Sequence, residues 1–231
     1  MSSHQAKLVV FVLLSVLLAG AGICMAAEGK IVIAQGAEQR AIDAHKGGSN
    51  MFTNTSRTLY DTLTQRTWDG KLVPGVAVSW KAIPPSTWEF KIRKGVKFHN
   101  GEPLTAGDVK FSLDRARDPA TKYPMRTFFK TITGVTVVDA DTVHVATNKP
   151  DPTLLSNLAS FGFLVPEDYI KKNGNDHFAK APIGSGRYKF VKWVQGDHIE
   201  LEANADYWGG EASIKTLIFK VIPENGARVA A

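Results

Sequence analysis

Residues 88–119 (WEFKIRKGVKFHNGEPLTAGDVKFSLDRARDP) constrain the fold of this 231-residue chain more than any other stretch, because they spell a strand, a turn and a capped helix with no gap between them. Trp88, Phe90 and Ile92 alternate with Glu89, Lys91 and Arg93, and a period of two puts one strand face on a core and the other in water. Asn100-Gly101 is turn chemistry, since both residues tolerate positive φ. Thr105 followed by Asp108 spells a capping box, and Val109, Leu113 and Ala116 mark the buried stripe of the helix it opens. Asp118-Pro119 closes that helix, because proline disfavours helical geometry in the residue before it. A strand and a helix that each carry one apolar face require a sheet with a helix laid on it, a mixed α/β fold.

The remaining chain repeats this mixture. Residues 30–35 read as a short β-branched strand and 36–50 as a loop without helical period. The spacing of Leu59, Tyr60 and Leu63 predicts a helix over 51–65 with the aromatic in its core, and Asp69-Gly70 predicts a turn. Residues 134–147 alternate on both sides of a polar turn and predict a hairpin. Asp151-Pro152 predicts a helix start with proline in first position and Leu154, Leu155 and Leu158 buried. Residues 166–168 open a further helix that Lys171, Lys172 and Gly174 end. Residues 188–194 and 198–203 read as strands, 214–222 as a strand apolar enough for burial on both faces, and the last residues as a helix start.

A hydrophobic content of 44% supports one large core or two small ones. The net charge of +6 arises from cations interleaved with acids, and no Lys/Arg run reaches five residues, which reads as a solvated basic surface and argues against nucleic acid as a partner. Lys7, the apolar run 8–18, the small residues 19–22 and Ala26-Ala27 form the three-part pattern of a secretory signal peptide, so residues 1–26 are expected to be cleaved. The uncharged run 8–27 is also just long enough for an uncleaved anchor, a reading that Gly20 and Gly22 weaken. Lipid attachment at Cys24 calls for a small residue before the cysteine, and Ile23 stands there. With Cys24 removed the mature chain has no thiol, a composition suited to an oxidising compartment.

Catalytic patterns are missing. Gly184-Ser185-Gly186 is one residue short of the G-x-S-x-G elbow, so a secreted hydrolase has only a weak basis. The histidines at 45, 99, 144, 177 and 198 have no metal-ligand spacing, and no G-x-x-x-x-G-K-[ST] loop exists for nucleotide phosphates. The expectation is a binding protein rather than an enzyme, with no cofactor and no metal.

The stretch GVKFHNGEPLTAGDVKFSLDRARDP resembles the signature of the extracytoplasmic solute-binding proteins, family 5, which serve ABC importers for peptides, nickel and related solutes. LYDTLTQRTWDGKLVPGVAVSW at 59–80 and PIGSGRYKFVKWVQGDHIELEANADYWGG at 182–210 resemble further family blocks in family order. The resemblance implies a type II periplasmic binding protein fold. Residues 27–60 and 180–231 would form an incomplete first lobe, 61–179 an inserted α+β subdomain, and the second lobe would be absent. It implies a monomeric, periplasmic chain that captures a small solute and delivers it to a membrane permease. Peptide is the commonest solute of the family, with nickel, glutathione, sugar and opine as further options; a truncated remnant without ligand binding is the alternative. AIDAHKGGSN resembles the family's L-D-P-H element, with Ala44 where proline is usual, so Gly48, Ser49 and Asn50 match the strip beside the ligand. An ordinary turn at the glycines is equally compatible. Phe161 and Gly162 would line a pocket or form a core turn. Ser185 and Arg187 fall in the block near the interlobe crossover, where Arg187 replaces a usual proline and would hold a ligand carboxylate or a surface ion pair.

Overall fold

A computed structural model describes residues 29–230. The expected signal peptide at 1–26, together with the anchor reading at 8–27 and the lipid reading at Cys24, lies outside the described residues. Strand β1 (Gly29–Gln35) runs into an irregular loop and then helix α1 (Asn50–Leu59). Short strands β2 (Thr64–Arg66) and β3 (Leu72–Pro74) pair around the Asp69-Gly70 turn. β4 (Ala77–Ile83) and β5 (Thr87–Ile92) lead to α2 (Ala106–Arg117), and the hairpin β6 (Ile132–Asp139) and β7 (Thr142–Thr147) follows. Three short helices come next: α3 (Leu154–Phe161), α4 (Glu167–Asn173) and α5 (Asn175–Lys180). β8 (Tyr188–Val194), β9 (His198–Ala203), β10 (Ile214–Val221) and α6 (Asn225–Ala230) complete the described chain.

The strands make two four-stranded sheets. One has the order β4-β5-β7-β6 and is antiparallel throughout. The other has the order β1-β10-β9-β8, and β1 runs parallel to β10, so strands from the two ends of the chain are neighbours. Each sheet has its own core. Phe90, Ile92, Val143 and Val145 face Val109, Leu113 and Ala116 of α2 and Leu154 and Leu158 of α3. Ile199, Leu201, Leu217 and Phe219 face Phe52 and Leu59 of α1, with Phe163, Ile170 and Phe178 on the same side. The strand, turn and capped helix at 88–119 stand as the sequence predicts, and the capping box is complete. Its Asp108 also accepts the Glu167 amide at 2.9 Å, so one carboxylate fixes the starts of two helices.

Three expectations need correction. The helix predicted over 51–65 ends at Leu59: Tyr60 is extended, and the Leu59 carbonyl accepts the Gly186 amide at 2.9 Å rather than a following helical turn. Tyr60 is nevertheless core, 2% exposed, and its hydroxyl donates to the Ile42 carbonyl. The helix expected from Asp151-Pro152 begins at Leu154, because the Asp151 side chain accepts the Thr153 amide and closes a turn ahead of it. The strand over 214–222 is fully buried only at Leu217 and Phe219, since one face alone of this sheet is covered.

The two halves are tied by a buried ion pair. Arg115 of α2 grips Asp43 of the first loop with both terminal nitrogens, at 2.9 and 2.6 Å. It also donates to Nδ1 of His45 (3.0 Å) and to Asn175 (2.9 Å). Burial raises the Asp43 carboxyl, but the Arg115 hydrogen bonds and charge outweigh it and hold the group below its ordinary value. Burial and the Arg115 charge lower His45 to about 3, so it is neutral, with Nε2–H donating to the Phe163 carbonyl. Removing one partner leaves the other charge buried and unpaired. Asp43→Ala should therefore cost about 3–5 kcal/mol in urea unfolding, and Asp43→Ala with Arg115→Met should cost less than Asp43→Ala alone. An unchanged midpoint for the single variant would contradict this role.

Candidate functional site

α1, β8 and the loop after β9 converge on an open cleft of about 280 Å³. Its position follows from the end of α1. The turn 184–186 packs so closely on the helix terminus that a Cβ at Gly184 would collide with the Leu59 carbonyl oxygen. That contact brings Ser185 and Arg187 to Asp61, which follows the helix at once. His99 holds the turn from the other side, accepting the Gly184 amide at Nδ1 (3.2 Å) and donating from Nε2 to the Gly186 carbonyl (3.0 Å). Burial lowers His99 to about 4, so both ring nitrogens serve backbone groups in the neutral form.

Asp61 is the polar centre of the cleft. It is 3% exposed and accepts from Trp208 Nε1 (2.9 Å), the Tyr207 hydroxyl (3.1 Å), Ser185 Oγ (3.1 Å) and the Gln65 amide (3.3 Å). Burial pushes its carboxyl up to about 6, against the opposing effect of the Trp208, Tyr207 and Ser185 bonds and the Arg187 charge. Burial likewise pushes the Tyr207 phenol up. Arg93 lies over the Trp208 ring at 4.3 Å, which fixes the indole that donates to Asp61.

Three arginines, Arg57, Arg66 and Arg187, line the same cleft. Arg66 donates to the Gly70 carbonyl, and Arg187 lies 5.2 Å from the centre of the Tyr207 ring. Neither Arg57 nor Arg187 forms an ion pair among the described residues, and both are exposed. With a single carboxylate behind them, these guanidinium groups make the rim cationic and leave donors free for a planar anion. Tyr60, Phe163 and Tyr188 supply apolar wall.

The sequence-predicted residues occupy three places. Ser185 and Arg187 are at the cleft, where Ser185 is buried and donates to Asp61. Gly48 and Ser49 lie at the opposite end of α1, a ten-residue helix about 15 Å long. Gly48 packs on Pro124 and the end of the Met125 side chain, and Ser49 is the N-cap, accepting the Phe52 amide at 3.2 Å. Asn50 starts the helix; its side chain lies outside the described residues. Phe161 and Gly162 end α3, where Phe161 stacks on Phe128 at 4.7 Å and Gly162 closes on Leu158. Asp61, Arg57, Arg66 and Tyr207 escape sequence reasoning. Their only signal is membership of the blocks at 59–80 and 182–210, and Arg57 lies outside even those.

Among the described residues there is no cluster of three or more His, Cys, Asp or Glu suited to a metal, and no helix long and apolar enough to cross a membrane.

The family model described as "Bacterial extracellular solute-binding proteins, family 5 Middle" matches residues 71–231. The periplasmic oligopeptide-binding protein OppA of Haemophilus influenzae is 32% identical over 221 residues, which cover 87% of this chain and 41% of that protein. Among solved structures, NikZ from Campylobacter jejuni in complex with Ni(L-His) superposes with a TM-score of 0.81 at 26% identity, covering 88% of this chain and 41% of that one. MoaA of A. tumefacien R10, in complex with mannopinic acid, has a TM-score of 0.81 at 27% identity, covering 89% and 43%. The chain thus spans about two fifths of the length of the relatives it matches.

A carboxyl pulled up from its ordinary value of 3.8 to about 6 favours the folded state in its protonated form. That contribution is present below the ordinary value and is lost as pH rises through about 6. Relative to Asp61→Asn, the wild-type chain should lose roughly 3 kcal/mol of stability between about pH 3 and pH 7, read from urea midpoints. Parallel pH profiles for the two proteins would contradict the assignment.

Proposed function

Because the chain belongs to the bacterial extracellular solute-binding proteins, family 5, we propose that it serves as part of a periplasmic solute-binding subunit of an ABC importer, with a peptide as solute. Its role is reversible capture and delivery to a membrane permease, not turnover. The relatives are solute-binding proteins, and Ser185, the serine nearest a G-x-S-x-G pattern, hydrogen-bonds to a buried carboxylate while the His99 ring is committed to backbone groups.

The observation that carries this reading is the cationic rim of the cleft, with Arg57, Arg66 and Arg187 around Asp61. A peptide ends in a carboxylate, and a guanidinium pairs with a carboxylate through two parallel hydrogen bonds. Arg187 holds that group and Tyr207 flanks it, while Gly48, Ser49 and Asn50, at the far end of α1, meet only a peptide long enough to run the length of that helix. In this reading 27–60 and 180–231 form the first lobe, 61–179 the inserted subdomain, and residues 1–26 the exported leader. Capture is a difference in solute affinity between open and closed arrangements of the whole protein.

Calorimetric titration with a tripeptide and with its C-terminal amide tests the reading. Arg187→Ala should weaken the free acid about tenfold or more and leave the amide within a factor of two or so, the size of one charge-assisted hydrogen-bond pair. Equal loss for both ligands, or none, would contradict it.

A further inference from the structure

A second cationic concavity lies on the inserted subdomain and shares no residue with the cleft. Arg117 at the end of α2, Arg126, Thr127, Phe129 and Lys130 of the short 3-10 helix 126–129 and its flank, and Ile132 of β6 enclose about 390 Å³. Three of these carry positive charge and none is acidic. Arg117 is held in place by Asp114, whose carboxylate also engages Lys110, and it donates to the Ile132 carbonyl at 3.0 Å. The other two are different. Among the described residues Arg126 and Lys130 make no ion pair and no side-chain hydrogen bond, and both are exposed. Phe129, between Arg126 and Lys130 in sequence, is fully buried in the core of the β4-β5-β7-β6 sheet and anchors the turn that carries them.

Like charges gathered around one concavity repel each other, and Asp114 relieves that repulsion at Arg117 but not at Arg126 or Lys130. Here Arg126 and Lys130 stand at the two ends of the short 3-10 helix and line the same concavity as Arg117. A carboxylate matches one guanidinium. A tetrahedral oxyanion presents several oxygens and takes donors from two guanidinium groups, an ammonium and a hydroxyl together.

We propose that this concavity binds a phosphate group through Arg117, Arg126, Lys130 and the Thr127 hydroxyl. The space exceeds that of the free ion, so the phosphate can belong to inorganic phosphate or to the headgroup of an anionic lipid. Exposed Phe128, 41% accessible and adjacent to the concavity in sequence, offers apolar contact to the second source.

The test titrates the full chain with sodium phosphate at constant ionic strength, chloride being the balancing anion, and in parallel with phosphatidylglycerol and phosphatidylcholine vesicles. Saturable phosphate binding that falls about tenfold or more in Arg126→Gln and Lys130→Gln supports the site. Binding only to phosphatidylglycerol vesicles, lost in the same variants, supports it with the lipid headgroup as the source. Both substitutions are of exposed side chains without intramolecular partners, and matching urea midpoints establish that the variants fold. Binding to neither probe, binding unchanged in both variants, or binding lost in Arg187→Ala instead would overturn the proposal.

Discussion

The Arg115–Asp43 pair is the contact on which the rest of the arrangement depends. The loop between β1 and α1 has no regular structure and cannot place itself, yet it must deliver α1 in the correct register under one sheet while touching the helix of the other. A bidentate ion pair with side-chain exposures of 6% and 0% fixes a carboxylate to a helix. His45 and Asn175 complete the donors and acceptors, so no charge is left unsatisfied. Desolvation makes such a pair poor as a source of net stability and good as a source of position. The position propagates: Ser49 caps α1, α1 ends at Leu59, and Asp61 arrives at the cleft.

Asp61 is placed by the same logic applied to hydrogen bonds. Four donors, one four positions away and three from two distant parts of the chain, meet on one buried carboxylate. They offset part of the burial cost and leave the group near neutrality in its titration, while Trp208, Tyr207 and Ser185 become fixed with respect to one another. The cleft therefore has a hydrogen-bonded interior with exposed arginines at its mouth. That division suits a site that recognises a charged terminus and tolerates variety behind it, and the relatives' solutes, an oligopeptide, a nickel–histidine complex and mannopinic acid, are varied.

Elements with local instructions were legible in the sequence. The capping box at Thr105, the alternation at Trp88, Phe90 and Ile92, and the hairpin at 134–147 each depend on residues a few positions apart, and each stands as read. The family was legible in the same way, from contiguous blocks. What failed depended on distance. α1 stops at Leu59 because a glycine turn about 125 positions further on takes its last carbonyl, and nothing near Leu63 announces that. β10 is apolar enough for double burial, but cover on its second face is a property of neighbours, not of the strand. The site was partly legible: Ser185 and Arg187 were found through their block, whereas Asp61, Arg57 and Tyr207 become site residues only when α1, β8 and the loop after β9 meet. Phe163, Ile170 and Phe178 join the core of the β1-β10-β9-β8 sheet, an allegiance that no periodicity within α4 or α5 could reveal.

The central claim is that solute is captured at the arginine-rimmed cleft. Amide chemical shifts of the isotope-labelled chain, followed while a free-acid tripeptide is added, test it most directly. The account predicts saturable shifts concentrated at Thr58, Thr62, Arg187 and Tyr207. Saturable shifts confined to other surfaces, or none at millimolar peptide, would contradict it.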